Sequence, residues 1–347
     1  MFVGYLAGSP SGWCCRRPSR IGVPHHCNCA CSGPSRLATP NVPQVWSDGP
    51  VRQAHPTIPI DDGTTSTDNS ESLRRIAERV VTEAAEHLRG LPRPWDDAPG
   101  GSVSTPSSVS TKSTPTDVVT ASDHALETLI RRRLAELRPG DAVVGEEHGG
   151  VVEHTPTLWV VDPIDGTVNY LYGLPWYAVS VAAVRDGVSV AGAVHEPASG
   201  RLWSASAGGG ATCDGRPLRV SGASEVAMSL LSTGFSYSAQ RRVSQVRMIS
   251  GLLPHVRDVR RAGSAALDLC AVAAGWVDAY LEHGCNWWDW AAAGLIAAEA
   301  GAVVRMPDPS GRVVPDDGLG ADALFAAGPG IADELAALAR EHGAADV

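Results

Sequence analysis

Apolar residues recur at steps of three and four along two segments, with charged residues between them. This spacing is typical of amphipathic helices and predicts one over 70–90, closed by Gly90, and a second over 117–137. The predicted apolar face of the first helix consists of Leu73, Ile76, Val80, Ala84 and Leu88. That of the second consists of Ala125, Leu129, Ile130 and Leu134. Residues 91–116 are rich in Pro, Gly, Ser and Thr, which predicts a loop between the two helices.

Shorter apolar runs predict β-strands that end in acidic residues. One run leads to Glu146 and Glu147, and another, 159–161, is expected to stop at Asp162 and Pro163. Both predicted strands therefore deliver carboxylates at their ends.

The second half of the chain alternates between strand and helix patterns. Residues 177–220 contain β-rich runs broken by Asp-Gly turns at 186–187 and 214–215. Residues 263–284 predict a helix of small residues followed by a strand, and 287–301 predict a buried helix. Because strands and helices interleave, the predicted fold class is mixed α/β.

The composition is that of a globular protein. The chain has 347 residues, 44% of them hydrophobic, which is enough for one large domain or two ordinary ones. Its formal charge of −10 argues against nonspecific nucleic-acid binding, so no nucleic-acid partner is expected. No apolar run reaches the roughly 18 residues of a membrane span, and the N-terminal sequence lacks a secretory layout. We therefore expect a cytoplasmic protein without a membrane partner.

Residues 1–68 differ from the remainder in composition. They are rich in Pro, Ser, Gly and Asn and show no periodicity, which predicts a disordered extension or a start placed too early. Five of the eight cysteines fall here, and with neighbouring histidines they suggest a zinc cluster as an alternative. Only Cys27 and Cys31 have suitable spacing for that site. An intact Met1 in a mass measurement of the cellular protein would contradict the hypothesis that the start is placed too early.

Two acids lie three residues apart around a proline in the segment WVVDPIDGTVNY. Pro163 favours an extended conformation at Asp162, and Gly166 permits a close backbone approach, so the carboxylates of Asp162 and Asp165 can point at one site. Two such charges repel unless a cation lies between them, and Mg²⁺ prefers oxygen ligands. The alternative is a turn in which both side chains only accept backbone N–H groups.

The Gly-Thr dipeptide that follows has a separate predicted role, in binding phosphate. If a helix begins at Gly166 and Thr167, its free amides and the positive end of its dipole can receive a phosphate group.

Four separated segments carry compatible chemistry, namely KSTPTDVVTASD, GEEHG, WVVDPIDGTVNY and WWDWAAAGLIAAEAG. Together they resemble the inositol monophosphatase family, the Mg²⁺-dependent phosphatases of sugar phosphates, from about residue 70 to 340. The segment RRAGSAALDLCAVAAGWVDAYLEHG resembles the bacterial inositol-1-monophosphatase branch. The resemblance implies a catalytic domain over 69–347, a layered αβαβα sandwich with its metal site between the two halves, and a homodimer.

The same resemblance assigns metal ligands. Glu146, Asp162 and the backbone carbonyl of Ile164 would bind one Mg²⁺ ion, and Asp162 would bridge to a second ion. Asp165 and Asp289 would complete the second site. Taken alone, Asp289 is also a good residue for the start of a helix, and one carboxylate oxygen suffices for that role.

The resemblance also assigns the water and the substrate. Thr167, paired with Asp123, would orient or deprotonate the water that attacks phosphorus in line. Gly166 and Thr167 would receive the phosphate, and Glu282 would accept hydrogen bonds from polyol hydroxyls. The segment next to the ring hydroxyls would be Gly263, Ser264 and Ala265. For Asp123 and Glu282, the alternatives are a helix N-terminal charge and an ordinary strand-end acid.

The expected reaction is hydrolysis of a phosphate monoester, foremost myo-inositol 1-phosphate, without a phosphoenzyme. Histidinol phosphate, fructose 1,6-bisphosphate and 3′-phosphoadenosine nucleotides are alternative substrates, and a non-catalytic partner-binding role is an alternative of another class. An aspartate-nucleophile phosphatase is excluded because Pro163 stands where its nucleophile would be. Lys112 and Asp117 match further family positions, whereas His148 and Tyr170 depart from the common Ser and Phe.

Overall fold

The structure is a computed structural model, and it describes residues 69–91, 109–111, 118–150, 155–309 and 317–347. The predictions for residues 1–68, including the zinc cluster, lie outside the described residues. The same holds for Lys112 and Asp117.

The described residues form helices, two large sheets and one small sheet. The helices are α1 (Ser70–Gly90), α2 (Ala121–Leu137), α3 (Thr167–Tyr172), α4 (Ala239–Leu252), α5 (Ala265–Ala273), α6 (Trp287–Glu299) and α7 (Ala332–Glu341). The small sheet pairs β1 (Val109–Thr111) with β2 (Val118–Thr120). None of the helices described is both long enough and apolar enough to cross a membrane.

The first large sheet has seven strands, and their spatial order follows the chain. They are β3 (Ala142–Gly145), β4 (Leu158–Asp165), β5 (Ala178–Arg185), β6 (Val188–Glu196), β7 (Arg201–Ser206), β8 (Gly210–Cys213) and β9 (Arg216–Pro217). The edge strand β3 pairs with β4 in parallel, and the later neighbours pair antiparallel.

The second large sheet has five strands. In spatial order they are β11 (Asp258–Arg260), β10 (Leu230–Thr233), β12 (Ala279–His283), β14 (Ala323–Ala327) and β13 (Val303–Arg305). The prediction of a small-residue helix followed by a strand is confirmed by α5 and β12.

The order of the layers follows from the helices that pack on each face of the two large sheets. Trp159 and Val161 of β4 pack with α1 and α2, whereas Leu158 and Val160 point to the other face and pack with α5 and α6. The far side of α5 and α6 contacts the five-stranded sheet, whose outer face is covered by α4 and α7. This order confirms the predicted αβαβα sandwich.

Small residues let the central helix layer lie close to the first sheet. A Cβ on Gly192 of β6 would be 2.8 Å from the Cα of Ala292 in α6. The close contact fixes the N-terminal turn of α6, which carries Asp289, near the ends of the strands.

The second helix begins later than the periodicity predicts. It starts at Ala121 because Thr120 accepts N–H groups of the first turn while the Asp123 carboxylate accepts the Thr120 N–H. Its buried apolar residues are Leu126, Ile130 and Leu134, whereas Ala125 is exposed and Leu129 half-buried. The predicted face is confirmed for Ile130 and Leu134 and wrong for Ala125 and Leu129, and the two acids Asp123 and Glu127 also occupy buried positions.

Strand β4 also runs further than predicted. It continues to Asp165, and its register with β5 shifts between Asp162 and Asp165. Pro163 lacks an N–H group and lies within this irregular stretch, where it needs no ladder partner. The two aspartates are thereby presented from one bulged strand end.

Candidate active site

The ends of several elements meet at one cavity of about 470 Å³. Strand β3 delivers Glu146, β4 delivers Asp162 and Asp165, the start of α3 delivers Thr167, and the first turn of α6 delivers Asp289. Further predicted residues that line the cavity are Ile164, Gly166, Gly263, Ala265 and Glu282. Segments 140 residues apart in sequence therefore contribute to a single site.

Three carboxylates form a compact cluster in this cavity. Oxygens of Asp162, Asp165 and Asp289 all lie within 4.8 Å of one another. Asp162 and Asp165 are buried, and Asp289 is half-buried. Such an arrangement of oxygen donors has the chemistry that a hard divalent cation requires.

Each of the three carboxylates is oriented by a donor of its own. The Ile164 N–H donates to Asp162 Oδ1 at 3.0 Å, and the Asn286 N–H donates to Asp289 Oδ2 at 2.7 Å. The latter bond places Asp289 at the third helical position of α6, so its second oxygen stays free of the helix terminus.

Asp165 is oriented from α5. Its Oδ2 accepts the Ser264 hydroxyl at 2.5 Å and the Ala266 N–H at 2.8 Å. Ser264 is buried, does not line the cavity and accepts the Leu267 N–H at the start of α5. Ser264 therefore contacts a predicted metal ligand, and its predicted contact with substrate stays a prediction.

Burial and mutual repulsion make the charged form of the cluster unfavourable. Burial, followed by the charges of Glu146 and Asp165, raises the pKa of Asp162 well above its usual range. Burial, followed by the charge of Glu146, does the same to the pKa of Asp289. Burial also raises the pKa of Asp165 to about 7, against the opposing hydrogen bonds from Ser264 and α5. The cluster therefore favours either a bound proton or a bound cation.

This electrostatic arrangement predicts a pH-dependent stabilisation by metal. An unfolded aspartate loses its proton near pH ~4, whereas Asp165 in the folded protein keeps it to about 7. Between these values the folded state binds more protons, so raising the pH lowers the free energy of unfolding of the metal-free protein. Mg²⁺ should counteract this loss, and its stabilising effect should be larger near pH ~7.5 than near pH ~5.

The check is the unfolding temperature in EDTA and in excess Mg²⁺ at both pH values. We expect the Mg²⁺-dependent increase to be several degrees, and larger at the higher pH. Equal increases at both pH values, or none, would contradict the assignment of the cluster as a cation site.

The predicted partners Thr167 and Asp123 are in contact. Thr167 Oγ1 lies 3.3 Å from Asp123 Oδ1 and 3.0 Å from the carbonyl oxygen of Ile164, and its single hydrogen can serve one of these acceptors at a time. Thr120 donates its N–H and its hydroxyl to Asp123 Oδ2 at 2.8 and 2.5 Å. Burial raises the pKa of Asp123 to about 7, which suits a group that exchanges a proton near neutrality.

Gly166 makes this contact possible. Its φ of 90° lies in the left-handed region, and a Cβ would be 3.0 Å from the carbonyl oxygen of Trp176 and 3.2 Å from that of Gly263. A side chain at this position would strain the turn that starts α3 at Thr167. The predicted helix start at Gly166–Thr167 is confirmed.

Glu282 also lines the cavity. The Tyr280 hydroxyl donates to Glu282 Oε2 at 2.6 Å, and a Cβ on Gly234 would be 1.8 Å from that same oxygen. Tyr280 is fully buried. A glycine and a buried phenol therefore fix the position of the Glu282 carboxylate beside the cavity.

Sequence reasoning missed several residues. Tyr237 lines the cavity although no motif marked it, and Arg261 lines it although no role was assigned to it within the segment RRAGSAALDLCAVAAGWVDAYLEHG. Glu127 is fully buried and accepts the Glu147 N–H at 2.7 Å and the His148 N–H at 3.2 Å. Its position four residues after Asp123 was the available signal, because residues at that spacing share a helix face.

Comparison with known proteins identifies the chain as a phosphatase hydrolase. The model of the inositol monophosphatase family matches residues 70–344. Since this match covers most of the chain, the protein belongs to the inositol monophosphatase family, and the predicted family is confirmed.

Individual relatives agree with this membership. An inositol-1-monophosphatase of Mycobacterium leprae is 50% identical over 299 residues, covering 82% of this chain and 99% of that protein. The solved structure of Mycobacterium tuberculosis SuhB is 42% identical, covers 80% of this chain and 100% of that chain, and has a TM-score of 0.65. A Nus factor SuhB of Xylella fastidiosa is 40% identical over 183 residues, covering 52% of this chain and 66% of that protein.

Proposed function

We propose that this protein hydrolyses myo-inositol 1-phosphate to inositol and phosphate in a Mg²⁺-dependent reaction. The observation that carries the proposal is the cluster of Asp162, Asp165 and Asp289, whose oxygens lie within 4.8 Å in a cavity large enough for a small polyol phosphate. The homodimer and the cytoplasmic location expected from the sequence stay predictions.

The metal would be held by residues from three parts of the fold. Glu146, Asp162, the Ile164 carbonyl, Asp165 and Asp289 are the ligands in this proposal. When bound, Mg²⁺ supplies Lewis acidity for the phosphoryl oxygens and lowers the pKa of water. The donors on Asp162, Asp165 and Asp289 fix these ligands in place before metal arrives.

The chain supplies the proton acceptor and the phosphate contacts. Thr167 Oγ1 orients the attacking water, and Asp123, at 3.3 Å from that oxygen, receives the proton through the hydroxyl. The backbone amides of Gly166 and Thr167 face the phosphoryl oxygens, where negative charge accumulates in the transition state.

Substrate selection is assigned to the wall that carries Glu282. A carboxylate accepts hydrogen bonds from hydroxyl groups, and Tyr280 holds this carboxylate from behind. Gly263 and Ala265 leave room for a ring beside it.

This assignment predicts a selective effect of Glu282→Gln. The KM for inositol 1-phosphate should rise roughly tenfold, because hydrogen bonds to a charged acceptor are lost, while kcat should change little. Steady-state kinetics at saturating Mg²⁺ provide the check, with hydrolysis of a phosphate ester lacking ring hydroxyls as the control reaction. A parallel loss on both substrates would show that Glu282 does not select the polyol.

The substrate itself is tested by comparing kcat/KM for inositol 1-phosphate, histidinol phosphate, fructose 1,6-bisphosphate and 3′-phosphoadenosine 5′-phosphate. We expect inositol 1-phosphate to give the largest value. A different preferred substrate would leave the metal chemistry intact and overturn the assignment of the pocket. Absence of hydrolysis would favour a partner-binding role, which is the alternative of another class.

A further inference from the structure

The turn that carries Glu146 lies at an edge of its sheet and is closed by the Gly145 N–H, which donates to the carbonyl oxygen of Gly149 at 3.0 Å. It follows β3, which is the edge strand of the seven-stranded sheet and has β4 as its neighbour on one side. At the ligand itself, the Glu146 N–H donates to the carbonyl oxygen of Val161 at 3.3 Å. A metal ligand in a turn of this kind needs support from elsewhere to keep one position.

Two side chains of α2 form hydrogen bonds with backbone N–H groups and carbonyl oxygens in and beside this turn. Glu127 accepts the N–H groups of Glu147 and His148, at 2.7 and 3.2 Å. Arg131 donates to the carbonyl oxygen of Val143 at 3.1 Å and also to that of Gly149. Side chains of one helix thus form hydrogen bonds with the backbone N–H groups that follow Glu146 and with backbone carbonyl oxygens before and after it.

The two side chains also support each other. Arg131 Nε donates to Glu127 Oε1 at 2.8 Å, one helical turn away. The Glu127 side chain is fully buried, whereas that of Arg131 is 27% exposed. The buried carboxylate accepts hydrogen bonds from an arginine and from two backbone N–H groups. These bonds favour a single orientation of the side chain.

Gly145 is fitted to this contact. A Cβ on Gly145 would lie 2.3 Å from Glu127 Oε1 and 2.5 Å from its carboxyl carbon. The residue directly before the metal ligand therefore leaves space for the carboxylate that holds the turn.

We propose that Glu127 and Arg131 are positioning residues that set Glu146 for metal binding and link it to Asp123 through α2. Asp123 and Glu127 are four residues apart on the buried side of that helix, so a single rigid element fixes both the proton acceptor and the turn with the ligand. The catalytic part of this inference rests on the function proposed above. Its structural part concerns metal affinity alone.

The test is Mg²⁺ binding to metal-free protein by isothermal titration calorimetry, without substrate. Glu127→Gln keeps the shape of the side chain but replaces an acceptor oxygen with a donor, which faces a backbone N–H. We expect the Mg²⁺ dissociation constant to rise by roughly tenfold or more, as for other residues that orient metal ligands. Arg131→Gln, at a partly exposed position, should act in the same direction with a smaller effect.

A matched control is available where α2 contacts α1. Arg133 of α2 donates to both oxygens of Glu83 in α1, at 2.6 and 3.0 Å, in a contact with α1. Glu83→Gln removes a comparable helix ion pair, so it should lower stability and leave the Mg²⁺ dissociation constant unchanged. Unfolding temperatures in EDTA identify which variants are folded before titration.

The outcomes separate this inference from the proposed function. Weaker Mg²⁺ binding by a folded Glu127 or Arg131 variant, with normal binding by Glu83→Gln, supports the inference even if no substrate is hydrolysed. Wild-type affinity in every folded variant of Glu127 and Arg131 overturns it, even if the wild-type enzyme is active. Equal weakening by the Glu83 variant also overturns it, since the effect would then be one of general stability.

Discussion

Replacing Asp162 by asparagine is expected to lower kcat/KM for phosphate release by about a thousandfold or more, equivalent to roughly 4 kcal/mol of transition-state stabilisation. Asp162 is buried, one of its carboxylate oxygens lies within 4.8 Å of oxygens of Asp165 and Asp289, and it is a metal ligand in the proposed function. An amide has the same size but no negative charge. It therefore weakens metal binding without removing a packing contact.

The same variant should be folded, and this separates a site effect from a structural one. Because burial, followed by repulsion from Glu146, Asp165 and Asp289, raises the pKa of Asp162, removing its charge relieves unfavourable interactions in the metal-free protein. The unfolding temperature in EDTA should therefore be no lower than that of wild type, whereas the increase caused by Mg²⁺ should be lost. Asp333→Asn, at an exposed position of α7, is the control and should change neither property. A folded Asp162→Asn enzyme with near wild-type turnover would refute the site.

Replacing Thr167 by valine should lower kcat by roughly a hundredfold to a thousandfold, with little change in Mg²⁺ affinity. Valine keeps the shape of threonine and removes the hydroxyl that lies 3.3 Å from Asp123 Oδ1. The carboxylate of Asp123 then has no path to the attacking water, although the metal ligands are untouched. Single-turnover kinetics at saturating Mg²⁺ measure this loss directly.

Thr167→Ser supplies the matched comparison because it restores the hydroxyl without the methyl group. It should recover most of the activity that Thr167→Val loses. If the serine and valine variants were equally slow, the methyl packing and not the hydroxyl would be responsible, and the role of the Thr167–Asp123 pair would have to be abandoned.

The sequence predicts the site best where the chemistry is local. Asp162, Asp165, Gly166 and Thr167 are contiguous with one strand end, so their conformational requirements can be interpreted from Pro and Gly alone. The amphipathic spacing of α1 is equally local, and that helix is confirmed over Ser70–Gly90.

Local sequence patterns reveal least where a contact joins distant segments or where a polar residue is buried. Ser264 donates to Asp165 across 99 positions, and no local pattern distinguishes that role from contact with substrate. In α2 the buried face is predicted from the apolar residues, and these do not indicate that the acids Asp123 and Glu127 are buried as well. The periodicity is that of hydrophobic residues, so it predicts an exposed position for a carboxylate even where tertiary hydrogen bonds bury it.

The most direct test of the account is phosphate release from inositol 1-phosphate by the wild-type protein in Mg²⁺ and in EDTA, with Asp162→Asn measured beside it. We predict turnover by the wild-type protein that requires Mg²⁺ and is abolished by EDTA, and none above background for the variant. Turnover that persists in EDTA, or that survives the loss of Asp162, would contradict the claim that this carboxylate cluster binds the metal on which catalysis depends.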